Sequence, residues 1–238
     1  MTSLVQALLR GRFLFLTCFS AFVLAGCQTL PPQLAGLKDT WAINFQSHRI
    51  DVSKLPTSHE FAIVHAGVRP SLVALGQRIK TNTPQGEVVD EYWYSSDREL
   101  LVLRNGRIHT VWGMPIEWRD NQSEPPSWQQ VLSTSQVISW QRVRQEMPNY
   151  RVGIQDTIST QVLNNPPSLN GFATELTSDI PPKVKANLKW VQDRIETTNN
   201  LGAHWSFTQV FAIDQNQVIY SEQCIAHILC VRFKKLKP

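Results

Sequence analysis

A mainly β fold is predicted for this chain, and three observations carry the prediction. From Glu60 onward the apolar residues fall in short runs rich in β-branched and aromatic side chains, separated by turn-formers. Leu100–Arg104 and Arg107–Ile108 flank Asn105-Gly106, a pair that accepts the positive φ angles of a type I′ turn and so marks a two-residue hairpin. A second hairpin is expected where His204–Ile213, with Trp205, Phe207, Phe211 and Ile213 in alternation, meets Val218–Gln223 across Asp214-Gln215-Asn216-Gln217.

The remaining elements follow in order. Leu34, Leu37, Trp41 and Phe45 recur at helical spacing and predict a short amphipathic helix whose stripe packs on a sheet. It lacks the lysine-rich opposite face of a helix lying on a bilayer. Strands are expected at Phe61–Val68, Ser71–Ile79, Glu87–Tyr94, Arg98–Arg104 and Arg107–Gly113, and again at Gln136–Arg144 and Tyr150–Val162. The stretch from Gly113 to Ser135 reads as a long connection holding a short helix at Ser127–Leu132, and long connections are usually functional or mobile. Residues 183–197 fit either a helix after Pro181-Pro182 or an exposed strand over Leu188–Glu196, and the neighbouring pattern favours strand.

The amino terminus bears on where the protein works. Arg10 and Arg12 precede an apolar run from Phe13 to Val23, which ends in Leu24-Ala25-Gly26-Cys27. A basic region, an apolar core and small residues before a cysteine make a secretory signal, and the last four residues resemble a bacterial lipobox. The run is shorter than the roughly 20 apolar residues of a membrane-spanning helix. Residues 1–26 are therefore expected to be removed and Cys27 to carry the lipid. Residues 27–32 then form a tether, and residues 33–238 form one mainly-β periplasmic domain.

Charge and cysteines narrow the function further. The formal net charge is +4, and losing Arg10 and Arg12 leaves a nearly neutral body without the concentrated basic face of a nucleic-acid binder. Lys234-Lys235-Leu236-Lys237 reads as a solvated tail. With Cys18 in the signal and Cys27 lipidated, Cys224 and Cys230 remain. One straight strand from Gln223 to Arg232 would hold their Cα atoms about 20 Å apart, whereas a disulfide needs less than about 7 Å. An oxidising periplasm would let Cys224 and Cys230 pair, but bridging requires a turn or bulge around Ile225–Leu229, where no turn-former stands, so both the bonded and the unbonded state stay open. A metal site of Cys224, His227 and Cys230 lacks a fourth ligand.

No cofactor or metal is expected. The six histidines are scattered, and no zinc-protease, nucleophile-elbow, phosphate-loop or dinucleotide motif occurs. A glycan hydrolase would need two converging carboxylates. Asp90 and Glu91, being adjacent on a strand, point to opposite faces, while Asp97 with Glu99 and Asp193 with Glu196 read as solvated edges. Among eight tryptophans, Trp93, Trp112, Trp118 and Trp128 are the candidates for glycan or partner contact, with sheet packing or loop anchoring as the alternative for each.

The segments Asp51–Pro56 and Ala62–Val64, then Tyr92–Pro115 with its Arg104-Asn105-Gly106-Arg107 turn and Gly113-Met114-Pro115, together with Phe211–Gln223, resemble the YjbF/GfcB family of lipoproteins. That family is associated with exopolysaccharide and group 4 capsule. The resemblance implies a strongly curved antiparallel sheet approaching half-barrels. It also implies an outer-membrane lipoprotein facing the periplasm, which acts as a non-enzymatic accessory in polysaccharide assembly or secretion. Its partners would be the membrane through the lipid anchor, other proteins of an export system, and the polysaccharide. The segment after Gln223, with Cys224, Cys230 and the lysines, departs from the family pattern, as does the connection after Pro115. A lipid-carrying half-barrel with an apolar cavity and a glycan hydrolase are the competing readings.

Overall fold

A computed structural model describes residues 52–66, 70–83, 86–148, 150–167, 187–198, 204–226 and 229–236. The expected signal, Cys27, the tether, the helix at Leu34–Phe45, and His227 lie outside the described residues, as do residues 183–186 of the ambiguous stretch.

A 3-10 turn at Val52–Lys54 leads into β1 (Phe61–His65), β2 (Ser71–Thr83), β3 (Gly86–Ser95), β4 (Leu100–Arg104), β5 (Arg107–Trp112) and β6 (Glu117–Ser123). A five-residue helix, α1 (Trp128–Leu132), precedes β7 (Ile138–Met147), β8 (Arg151–Leu163), β9 (Lys189–Thr198), β10 (His204–Asp214), β11 (Gln217–Ala226) and β12 (Leu229–Lys235). Every sequential pair of strands is antiparallel, and β1 pairs with β12 as well as with β2, so the sheet closes into a twelve-stranded barrel.

The mainly-β antiparallel class is thus the observed one, and the curvature goes beyond half-barrels to closure. Two segments account for the difference. Gln223–Arg232 is not one straight strand but a hairpin, in which Cys224 faces Cys230 with Cα atoms 3.8 Å apart and the sulfurs bonded. That hairpin supplies β12, whose Phe233 and Lys235 register on Val64 and Ala62 of β1. The expected long connection after Gly113 contains β6, which bridges β5 and β7. The β5–β6 seam is narrow, with only Thr110↔Arg119 and Val111↔Trp118 in register. Six of the ladders carry a register shift. Such bulges bend and twist strands, which helps a sheet curl onto itself.

The expected turns form as the sequence suggests. Asn105 and Gly106 take φ of 49° and 78°, and Gln215 and Asn216 take 49° and 64°, both pairs in the left-handed region that tight hairpins require. Residues 189–198 are strand, in the sense favoured from the pattern. The α1 helix is capped by Ser127, whose side chain accepts from the Gln130 amide, and it buries Trp128 and Val131.

The barrel interior is filled and divided. From β5, the Ile108 amide donates to Gln223 Oε1 on β11 at 2.8 Å, and Gln223 Nε2 donates to the Gly106 carbonyl at 2.9 Å. These two strands are not neighbours in the sheet, so the contact crosses the interior and pinches the barrel into two lobes. One lobe, walled by β11, β12 and β1–β5, is apolar: Trp93 meets Phe233 edge-on at 5.2 Å, with Val64, Leu101, Leu103 and Val231 around them. Burying each such side chain contributes about 1.5–3 kcal/mol. The other lobe, over β6–β9, holds ion pairs, with Arg142, Arg144, Glu146, Asp156 and Asp193 all buried. A further apolar layer lies on the opposite pleat face, where Trp190, Ala212 and Tyr220 cluster and Phe61 packs with Leu72 and Ala74.

Candidate functional site at the barrel mouth

The turn Arg104-Asn105-Gly106-Arg107 is the local device from which the site is built. Arg104 leaves the barrel outward and forms a two-pronged pair with Asp90, both contacts at 2.8 Å. Asn105 is tied to β3: its amide donates to the Val89 carbonyl and its Oδ1 accepts from the Val89 amide, each at 2.8 Å. Gly106 is pressed onto β11 so closely that a Cβ there would lie 2.4 Å from Val218 Cγ2. Arg107 points inward, where its Nε donates to Asp193 at 3.1 Å and its guanidinium stacks on Trp128, 3.7 Å from the ring centroid. Trp128 in turn donates to the Asn105 carbonyl at 2.6 Å, pinning α1 over the charged lobe.

Beside this turn, above the apolar lobe, the barrel end opens into a cavity of about 610 Å³. Its walls come from three directions. Strands β2, β3 and β12 contribute Arg78, Lys80, Glu87, Glu91 and Lys235, with Glu60 just ahead of β1. The two tight turns contribute Asn105, Gly106 and Gln215–Val218, and α1 contributes Ser127, Trp128 and Gln129.

The charges on these walls compensate one another. Arg78 straddles two carboxylates, donating to Glu60 Oε1 and Oε2 at 2.8 and 2.7 Å and to Glu91 Oε1 at 3.1 and 2.9 Å. Lys235 Nζ reaches the same Glu91 oxygen at 2.7 Å, and Lys80 pairs with Glu87 at 3.1 Å on the rim. The hydrogen bond from Arg78 holds the Glu60 carboxyl below its ordinary pKa, and Glu60 in turn raises that of Arg78. Glu91 is 6% exposed, so the paired charges form the inner end of the cavity. The arrangement offers ammonium, guanidinium and amide donors beside carboxylate and amide acceptors, in a site without net charge.

Beneath α1 the charged lobe is closed. Asp156 Oδ2 accepts from Arg142 at 2.9 and 2.7 Å and from Arg144 at 2.7 Å, and Oδ1 accepts from Thr197 at 2.7 Å. Arg144 also bonds Glu146. Burial alone would raise the Asp156 pKa, but the two guanidiniums outweigh it and hold the carboxyl low. A second chain runs from Trp140 Nε1 to Thr160 Oγ1 at 2.9 Å, and from Thr160 to Asp193 Oδ1 at 2.6 Å. Burial depresses the Arg107 pKa, opposed by the charge of Asp193.

The structure redistributes the residues expected from sequence. Trp93 is completely buried against Phe233, Trp118 lies under the guanidiniums of Arg142 and Arg144, and Trp128 packs against Arg107 and Phe211. Of the two readings for these three, glycan contact or sheet packing and loop anchoring, the structure shows the second, because protein groups already occupy the ring faces. Trp112 is 46% exposed, with Arg119 5.0 Å from its ring centroid, and it sits at the other end of its strand from the Asn105–Gly106 turn. The lysine tail is corrected: Lys234 is buried in β12 and Lys235 belongs to the cavity. Cys224 and Cys230 are joined to each other, and among the described residues no group of three or more His, Cys, Asp or Glu is placed to hold a metal ion. Asp90 and Glu91 do diverge, one to Arg104 and one into the cavity. Asp193 is buried while Glu196 is exposed beside Arg194.

Sequence reasoning missed Glu60, Arg78, Glu91 and Lys235 as a set, and Arg107 with Asp193. The available signal was periodicity: Glu91 alternates with the outward Asp90 and Tyr92 and shares its face with Trp93.

No family model matches the chain, and no curated protein sequence matches it. Its fold is similar to that in the crystal structure of the hypothetical lipoprotein YmcC from Escherichia coli K12, with a TM-score of 0.52 and 15% sequence identity over 93% of this chain and 94% of that one. At that identity the similarity is one of fold.

Proposed function

We infer that the chain is a lipid-anchored, non-enzymatic accessory lipoprotein of the outer membrane, facing the periplasm, that serves the assembly or secretion of an exopolysaccharide or capsule. The observation that carries this reading is the position of the Arg104–Arg107 turn. The segment on which the resemblance to the YjbF/GfcB lipoproteins is most specific is also the one that pinches the barrel and forms a wall of the mouth cavity. The lipobox-like Leu24–Cys27 supports the anchor, and the fold it shares with a protein described as a lipoprotein is consistent with it. Anchoring confines the domain to one surface and raises its effective concentration for neighbours in an export machine. The charged and amide lining of the cavity suits a polar ligand better than the acyl chain that a lipid carrier would hold.

Deleting the gene in the native host and quantifying surface polysaccharide tests the role. The coat is expected to fall and to return with the wild-type chain, whereas Cys27→Ser should leave the protein soluble in the periplasm and restore the coat poorly. An unchanged coat after deletion would sink the assignment, and membrane retention of Cys27→Ser would show that another segment does the holding.

A further inference from the structure

We propose that the mouth cavity above the apolar lobe is a binding site for a short uncharged stretch of saccharide, a ligand assignment that rests on the polysaccharide role above. Its volume of about 610 Å³ lies within the roughly 300–1,000 Å³ of ordinary ligand sites, but its chemistry is not theirs. Such sites are mostly apolar with a few polar groups. Here Arg78, Lys80, Glu87, Glu91 and Lys235 share the walls with side-chain amides, and the one tryptophan present, Trp128, is 4% exposed with its ring taken by Arg107.

Each alternative ligand class fails on a specific feature. An acyl chain would strip water from paired charges and return no hydrogen bonds, a cost of kilocalories for each polar group left unmet. An anionic polymer needs uncompensated cations, but Arg78 and Lys235 are held by Glu60 and Glu91, and Lys80 by Glu87. A basic ligand meets the same balance with the sign reversed.

A sugar hydroxyl both donates and accepts, so it can bridge a carboxylate and an ammonium without breaking their pairing. Glu91 is built for this: it lines the cavity, and Arg78 and Lys235 converge on its Oε1, which leaves the lone pairs of Oε2 as further acceptors. Lys235 spends one proton on that carboxylate and carries others. The walls are also fixed in advance. Asn105 is tied to Val89, Gly106 is packed on Val218 and bonded to Gln223, and Ser127 is engaged as the α1 cap, so little order has to be created on binding.

The test uses the mature domain labelled for NMR and the host's own surface polymer, partially hydrolysed and separated by charge. The uncharged fraction should shift the resonances of Glu91, Asn105 and Gln217, and Gln217→Trp, which narrows the exposed rim without touching the interior, should weaken binding at least tenfold. Glu91→Gln, which keeps the size of the side chain but unbalances Arg78 and Lys235, should weaken uncharged oligosaccharides and strengthen anionic ones. The proposal is overturned if the anionic fraction or dodecanoate shifts these residues more than the uncharged fraction does, or if none of the three does. In cells, a Gln217→Trp chain that restores the coat fully to the deletion strain would refute the cavity's role while leaving the accessory role standing.

Discussion

The two lobes of this barrel are filled in different ways. On the β1–β5 side, Trp93, Leu101, Leu103 and Phe233 fill the interior by apolar packing, and the barrel end above them is left open as a polar cavity. On the β6–β9 side Arg142, Arg144, Glu146 and Asp156 share the interior with Ile154, Ile158 and Ile195, and Trp128 closes the end by stacking on Arg107. The difference teaches that a buried charge network is a way of closing a space, and an apolar plug a way of holding one open above it. Charges taken out of water need partners close by, and those partners fill the volume. An apolar floor needs no such completion, so the paired charges at its margin stay open to the cavity.

The largest expected effect comes from breaking that symmetry on the charged side. Asp156→Ala removes the shared acceptor of two buried guanidiniums and should destabilise the fold by about 3–5 kcal/mol, read from urea unfolding. Glu196→Ala, which breaks the exposed pair with Arg194, should cost less than about 1 kcal/mol. Equal costs for the two would mean that the interior network is hydrated rather than closed. On the apolar side, Leu103→Ala should cost about 3 kcal/mol by opening a cavity, with no dependence on pH.

The pinch between the lobes comes next. Gly106→Ala places a methyl group against Val218 at a φ of 78°, and such overpacking costs about 2 kcal/mol. Because the clash is with Cβ as well as Cγ2 of Val218 on β11, Gly106→Ala should cost clearly less in a Val218→Gly background, where only the strain of the positive φ remains. Simple additivity of the two substitutions would show that the turn does not touch β11.

The smallest effect is the acid response that distinguishes the lobes. Asp156 has its pKa held below the unfolded value of about 3.9. Its contribution is therefore complete above that pH and is lost as pH falls through the lower, folded value. Urea midpoints should decline in that acid window for the wild type and for Leu103→Ala alike, and decline less steeply for Asp156→Asn. A parallel decline in Asp156→Asn would assign the acid sensitivity to other groups.

The strands were legible where side-chain alternation and turn chemistry agree, as at Leu100–Ile108 and across Gln215-Asn216. β6 was not, since Glu117–Ser123 carries hardly any β-branched or apolar residue and is held by backbone pairing to both neighbours. Closure was not legible because the segment between Cys224 and Cys230 contains no turn-forming residue, which left the strand and the bridged hairpin equally open there. The charged lobe was hidden by an inverted pattern. In Arg142-Val143-Arg144 the arginines face the interior and are buried, whereas the valine on the other face is only partly covered, the reverse of what alternation suggests in a half-buried strand. The tryptophans misled for a related reason: an aromatic ring stacks on a guanidinium as readily as on a sugar, and this chain supplies the guanidiniums itself.

Amide hydrogen exchange at Ile108 tests the division of the barrel most directly, because its N–H is bound to the Gln223 side chain across the interior rather than to a neighbouring strand. In the wild-type domain this amide should exchange as slowly as those in the centre of β4. Gln223→Met should speed it by about a hundredfold, the equivalent of about 2.7 kcal/mol, while β4 stays protected. Equal protection of Ile108 in both proteins would contradict the pinch, and with it the separation of an open lobe from a closed one.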